Sequence, residues 1–255
     1  MRWVKKPGVI SDPDTYMREQ YGEDFACGED GYLPDFHRFL QYHLSLYYKR
    51  RRRKIDGKWL AGEGVWYSEG NCTLASVFAA LNYLRQTGAH PRFPGPSRMI
   101  SCRADRDRFY AHYAKKQDYS IENPKDLPEL YASIRDFAIH RQFYKTGLTN
   151  PFLIPTIIWA MNHKYHENVR TWFYLLWSFR MIRKEIGAGH PLILNITGSR
   201  IYGFHSVVVT GYRVYISSET SRTIRLLQIS DNWSRQPRYL DLNALDGIMT
   251  IVTLK

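Results

Sequence analysis

Between residues 72 and 84 apolar side chains return every three or four positions, at Leu74, Val77, Phe78, Leu81 and Leu84. That spacing predicts a buried amphipathic helix whose first turn holds Cys72. The same period predicts helices over residues 14–21, 105–116, 127–144, 150–165 and 169–186, with Asn150-Pro151 a good cap and first-turn pair. A further helix is expected from Pro34, carrying Phe36, Phe39, Leu40, Leu44 and Tyr47 on one face and ending in the basic run Lys49-Arg50-Arg51-Arg52-Arg53-Lys54. The rest of the first 32 residues is punctuated by Pro and Gly and reads as an irregular arm, and the Gly-rich stretch 55–71 leads into the cysteine helix.

After Gly187-Ala188-Gly189-His190-Pro191 the pattern changes to short apolar runs. Strands are expected over 192–196, 206–216, 224–229 and 248–254, with 217–221 as a hairpin connection. Helices first and strands last make an α+β chain. The expected division is an N-terminal arm and helix over residues 1–60, then one domain over 61–255 with a helical half (61–186) and a sheet half (187–255).

At 255 residues with 44% hydrophobic composition the chain is long enough to bury a core without covalent staples. Three widely spaced cysteines do not make a disulfide framework, which suits a reducing, cytoplasmic setting. The opening residues show no apolar core of a secretory signal, and the longest apolar run, broken by Pro155, is about half a bilayer crossing, so no membrane span is expected. A net charge of +12 favours acidic partners. The run Arg50, Arg51, Arg52 and Arg53 is read first as cations complementing a helix end and second as a patch for an acidic partner. No recognisable nucleic-acid module accompanies it, so nucleic acid is not the expected partner.

The chemistry centres on Cys72. A helix N-terminus has unpaired N–H groups and a positive dipole end, which favour a thiolate and can cradle an oxyanion. Cys27 lies among carboxylates that disfavour a thiolate, and Cys102, although near arginines, has no histidine-bearing strand tied to it. His163 and His166 stand three apart beside Glu167, but the spacing is not that of a zinc helix and no third ligand is evident, so neither metal nor cofactor is expected. His190 precedes a proline at a strand start and reads as structural. His205 opens the run Ser206-Val207-Val208-Val209, where an imidazole is costly to bury unless it is used. Asp231-Asn232-Trp233 follows the next strand.

Taken in order, Cys72 opening a helix, His205 starting a strand that reaches Gly211-Tyr212, and Asp231 two residues before Trp233 resemble the papain-like cysteine peptidases, in particular the branch of bacteriocin-processing peptidases. The resemblance covers residues 70–85 and 187–255 and implies a papain-like fold and a Cys-His-Asp triad: Cys72 as nucleophile, His205 as base, and Asp231 fixing the imidazole under the shield of Trp233. Asn232 is the alternative third member. A peptide or protein substrate, cut at a peptide or isopeptide bond through an acyl-enzyme, is implied. Where that family carries an oxyanion glutamine this chain has Trp66, and losing one such donor typically costs about 10² to 10³ in rate. Trp66, Ser68 or the Asn71 amide are the candidate replacements. The missing glutamine equally suits a catalytically silent papain-like binding module, and the basic run a polyanion-binding protein.

Overall fold

Elements form where local chemistry and burial agree, and the first example is a short helix. Asp12 accepts hydrogen bonds from Asp14 N and Thr15 N, with Pro13 at the first helical position, and so starts α1 (Pro13–Tyr21). The structure, a computed structural model, describes residues 9–41, 47–55, 58–68, 72–101, 119–120, 126–145, 148–234 and 236–255. In chain order there follow β1 (Phe25–Tyr32), a 3-10 turn (Phe36–Gln41), β2 (Tyr47–Ile55), β3 (Lys58–Ser68), α2 (Cys72–Gln86) and β4 (Met99–Ser101). Next come β5 (Tyr119–Ser120), β6 (Asp126–Pro128), α3 (Glu129–His140), β7 (Tyr144–Lys145) and β8 (Leu148–Thr149). A 3-10 turn (Pro151–Leu153) leads into α4 (Ile154–Tyr165), then β9 (Thr171–Tyr174) and α5 (Phe179–Gly187). The chain ends in β10 (Leu192–Ser199), β11 (Gly203–Ser217), β12 (Thr223–Ser230), β13 (Arg238–Asp241) and β14 (Ile248–Leu254).

The main sheet has seven strands, in the order β13-β12-β11-β10-β14-β9, with β1 paired to β11 beside that path. Every pairing in it is antiparallel. Strand β11 is long enough to take β10 along its first half and β1 along its second. At the changeover, a Cβ on Gly211 would collide with the Tyr32 ring and the Gly31 carbonyl, so only glycine lets β1 approach. Helix α2 lies against β10 and β11, and its residues 73 to 84 are buried without a break. Leu74, Val77, Leu81, Ile193, Val207 and Val209 are wholly buried in the core that helix and sheet share. The chain is therefore α+β, with a large antiparallel sheet covered by helices.

Four expectations give way to the structure. The helix expected from Pro34 is a 3-10 turn, and the basic run 49–54 lies in strand β2, paired with β3 in a separate sheet. Ile55 pairs with Lys58, and the dipeptide between them is Asp56-Gly57, a strong hairpin signal that the helical reading passed over. The stretch 55–71 is accordingly strand β3 along most of its length. In the N-terminal arm, residues 25–32 are β1. The helix expected over 169–186 is strand β9, whose Thr-Trp-Phe-Tyr sequence suits a sheet, followed by α5 from its cap Ser178. The helix expected over 105–116 lies outside the described residues. As to domains, β1 belongs to the main sheet, and β2 and β3 pair with each other across residue 60. Among the described residues, no helix is long and apolar enough to cross a membrane.

Because Leu81 on α2 is fully buried, Leu81→Ala should lower unfolding stability by about 2–5 kcal/mol. Equilibrium urea unfolding measures this, and a loss under about 1 kcal/mol would contradict so enclosed a position.

Candidate active site

The first turn of α2 is fixed to the sheet by polar side chains. Ser206 Oγ donates to Asn195 Oδ1 at 2.7 Å, so Thr73 Oγ1, 2.9 Å away, must donate to Ser206 Oγ. Ser76 Oγ donates to the Ser206 carbonyl at 3.0 Å, and Asn195 Nδ2 to Thr250 Oγ1 at 3.3 Å. Ser206, Asn195 and Thr250 are paired across β11, β10 and β14, so one rung of the sheet carries a continuous hydrogen-bonded chain to the helix. All are buried, and each is satisfied by the next.

This anchorage brings Cys72, the first residue of α2, and His205, one residue before Ser206, to the same cavity. The two line one cavity of about 280 Å³, together with Thr73, Thr149, Asn150, Asn195, Thr197 and Phe204. Cys72 is partly exposed to it but enclosed by protein on most sides. Burial pushes its thiol pKa up, against opposing hydrogen bonds from the Ser206 backbone and from Thr73. The helix-end argument alone favoured a thiolate, but desolvation outweighs it here.

His205 is buried in β11, and its Nε2 lies 2.8 Å from the backbone carbonyl of Asp231. A carbonyl only accepts, so Nε2 carries a proton, and in the neutral ring Nδ1 is then the acceptor nitrogen. The ring stacks on Trp233, with centroids 4.0 Å apart, and on Tyr202 at 5.6 Å, while Tyr202 and Trp233 lie nearly parallel at 5.2 Å. The imidazole thus has a fixed plane and tautomer. Gly203, at φ +63°, supplies the left-handed step that starts β11 just before it.

Asp231 is brought to His205, but through its main chain. Its carboxylate turns inward: Oδ1 accepts from Trp233 N at 3.0 Å and Ser234 N at 3.2 Å, closing the turn after β12. Asn232 occupies the left-handed region at φ +61°, and its Nδ2 donates to Ser76 Oγ at 3.1 Å, toward α2. Burial is the largest influence on the Asp231 carboxyl and raises its pKa, while the turn N–H groups and Arg238 oppose it. Trp66 and Ser68 lie in β3, and Asn71 lies outside the described residues.

The cavity also holds residues that sequence reading passed over. Asn150, read only as a helix cap, accepts from Phe152 N through Oδ1 at 3.0 Å and lines the wall. Thr73, Asn195 and Ser206 gave no signal because their partners lie on other elements. The signal available for Tyr202 was its position three before His205.

Elsewhere, Cys27 sits in β1, and burial raises its thiol pKa, with Asp30 adding to the effect and Arg213 opposing it. Cys102 is outside the described residues. His163 stacks on Trp159, His166 ends α4 in the left-handed conformation, and Glu167 bonds His90 and Arg92. His190 pairs with Glu185. Among the described residues, no three His, Cys, Asp or Glu side chains cluster to hold a metal. No protein-family model matches this chain, and no curated protein matches it.

If the Asp231 carboxylate acts by closing the turn, Asp231→Asn, which keeps the acceptor, should retain most of the thiol reactivity of Cys72, whereas Asp231→Ala should lose it and about 1–2 kcal/mol of stability. The raised carboxyl pKa means that ionisation of Asp231 opposes folding. Its favourable contribution is present at acid pH, below the ordinary aspartate pKa, and is lost as pH rises through the higher folded value. Thermal unfolding from pH 3 to 7 should therefore show wild type losing stability relative to Asp231→Asn as pH rises. An Asn variant as damaged as the Ala variant would sink the turn-closing role.

Proposed function

We propose that this protein is a thiol hydrolase that cleaves an amide bond, peptide or isopeptide, through an acyl-enzyme on Cys72. The observation that carries this reading is that a cysteine at the start of a buried helix shares one cavity with a histidine whose protonated nitrogen is tied to a main-chain carbonyl. The other nitrogen, Nδ1, then has the lone pair that a general base needs.

The resting thiol is held protonated by burial, so proton transfer accompanies attack. Nδ1 of His205 takes the Cys72 proton as Sγ adds to the substrate carbonyl carbon. The oxyanion meets the backbone N–H groups at the start of α2, with Asn150 on the cavity wall nearby. Collapse breaks the C–N bond as His205 returns the proton to the leaving amine. Water, deprotonated by the same imidazole, then releases the acid and restores the thiol. Trp233 and Tyr202 keep solvent from the ring and from its bond to Asp231.

A second reading, a papain-like binding module without turnover, is favoured by the same burial that suppresses the thiolate. A peptidyl electrophile with a carbonyl-like warhead separates the two. The hydrolase reading expects mass addition at Cys72, abolished in Cys72→Ala and slowed about 10²- to 10⁴-fold in His205→Ala. Labelling at the wild-type rate in His205→Ala would leave the binding module.

The raised thiol pKa has its own signature. Alkylation of Cys72 by iodoacetamide should keep climbing with pH beyond about 8.5, where an ordinary cysteine is half ionised. A rate already level at neutral pH would mean a preformed thiolate–imidazolium pair.

A further inference from the structure

Strand β9 ends the main sheet, and among the described residues no strand pairs with its outer edge. Which of its backbone groups face outward follows from the ladder. Arg170 N donates to Lys255 O at 2.8 Å and Lys255 N to Arg170 O at 2.9 Å, a pair that exchanges both bonds. In an antiparallel ladder such pairs alternate with pairs that exchange none. Residues 170, 172 and 174 therefore bond inward to β14, while Thr171 and Phe173 direct N–H and C=O outward.

Edge strands are normally protected by a lysine or proline in the strand, or by a bulge. The strand Thr171-Trp172-Phe173-Tyr174 has none of these, and it runs into Leu175-Leu176. Trp172 is 44%, Leu175 59% and Leu176 91% exposed. The Phe173 ring lies tilted against that of Phe152, centroids 4.7 Å apart, and Phe152 follows the cavity residues Asn150 and Pro151. Beyond the C-terminal end of β9, the exposed Ile248 shares a rung with Thr197 and Phe204 on the cavity floor. An apolar path thus joins the open edge to the Cys72 cavity.

We infer that the outer edge of β9 binds an extended peptide segment, with apolar side chains alternating with acidic ones, as an added antiparallel or parallel strand. The open N–H and C=O groups require an extended main chain, and the exposed aromatic and leucine side chains require apolar partners at alternate positions. Charge decides against a second copy of this chain, because two molecules of net charge +12 repel whereas an acidic segment is attracted. Where the hydrolase reading holds, this edge is a docking site for the substrate outside the cavity. The binding itself does not depend on that reading.

The test uses the full chain carrying Cys72→Ala, so that binding is read without turnover. The probe is a fluorescent ten-residue peptide of alternating Glu and Val, followed by anisotropy. Controls are an alternating Lys and Val peptide and a Glu and Val peptide interrupted by proline. Saturable binding of the first is expected, with both controls about tenfold weaker or worse. Thr171→Pro, which removes an outward N–H and leaves the bonds to β14 intact, should weaken binding about tenfold with an unchanged melting temperature. Trp172→Pro should instead lower the melting temperature, because its N–H faces β14. Equal affinity of the Thr171→Pro protein, or equal binding of all three peptides, would overturn the site. A dimer that Thr171→Pro converts to monomer would overturn the choice of occupant. A positive result with an unreactive Cys72 in the otherwise wild-type chain would refute the hydrolase and leave the edge site standing.

Discussion

The hydroxyl of Ser206 is the point on which the geometry of this molecule turns. It accepts from Thr73 and donates to Asn195, while the carbonyl of the same residue accepts from Ser76. Two turns of α2 are thereby held to one residue of β11. Apolar packing presses the helix on the sheet but tolerates a slide along it, since dispersion and burial are not directional. Hydrogen bonds in a buried setting do not tolerate it, because a slipped partner leaves an unsatisfied polar group at a cost of about 1–3 kcal/mol. The register between thiol and imidazole is thus a property of the Thr73, Ser206 and Asn195 chain.

The second constraint is the turn after β12. Its carboxylate binds two N–H groups of its own loop, and the result is a carbonyl aimed at His205. A neutral acceptor fixes the tautomer of the neutral ring as a carboxylate would, but it stabilises an imidazolium less, which fits the raised pKa of the Cys72 thiol. Stacking of Trp233 and Tyr202 on the ring removes its freedom to rotate away from that acceptor.

Much of this was readable in the residues. Helix α2 was legible because Leu74, Val77, Phe78, Leu81 and Leu84 keep one period along a segment that is buried throughout. Strands β10, β11, β12 and β14 were legible as runs of β-branched and aliphatic residues. Strand β1 was not, since Gly28, Gly31 and the acidic pair Glu29 and Asp30 give it no pattern of its own, and it is a strand because β11 offers an edge to it. The run Trp172 to Trp177 is apolar at every position, which fits a helix or a strand equally well by period. At the site, Cys72, His205 and Asp231 could be picked out by residue type, but which oxygen of Asp231 meets the imidazole is set by the left-handed backbone of Asn232, which composition does not reveal.

The pairing of β1 with β11 joins Phe25 to Ser217, positions about three quarters of the chain apart. Contacts of such long separation form late, since loop closure must precede any gain from them. During synthesis on the ribosome the Cys72 segment emerges long before β10 and β11, so for most of translation it has no main sheet to lean on. The newborn chain is therefore vulnerable: an apolar helix and an unpaired early strand must wait for the last quarter of the polypeptide, a natural client interval for holding chaperones.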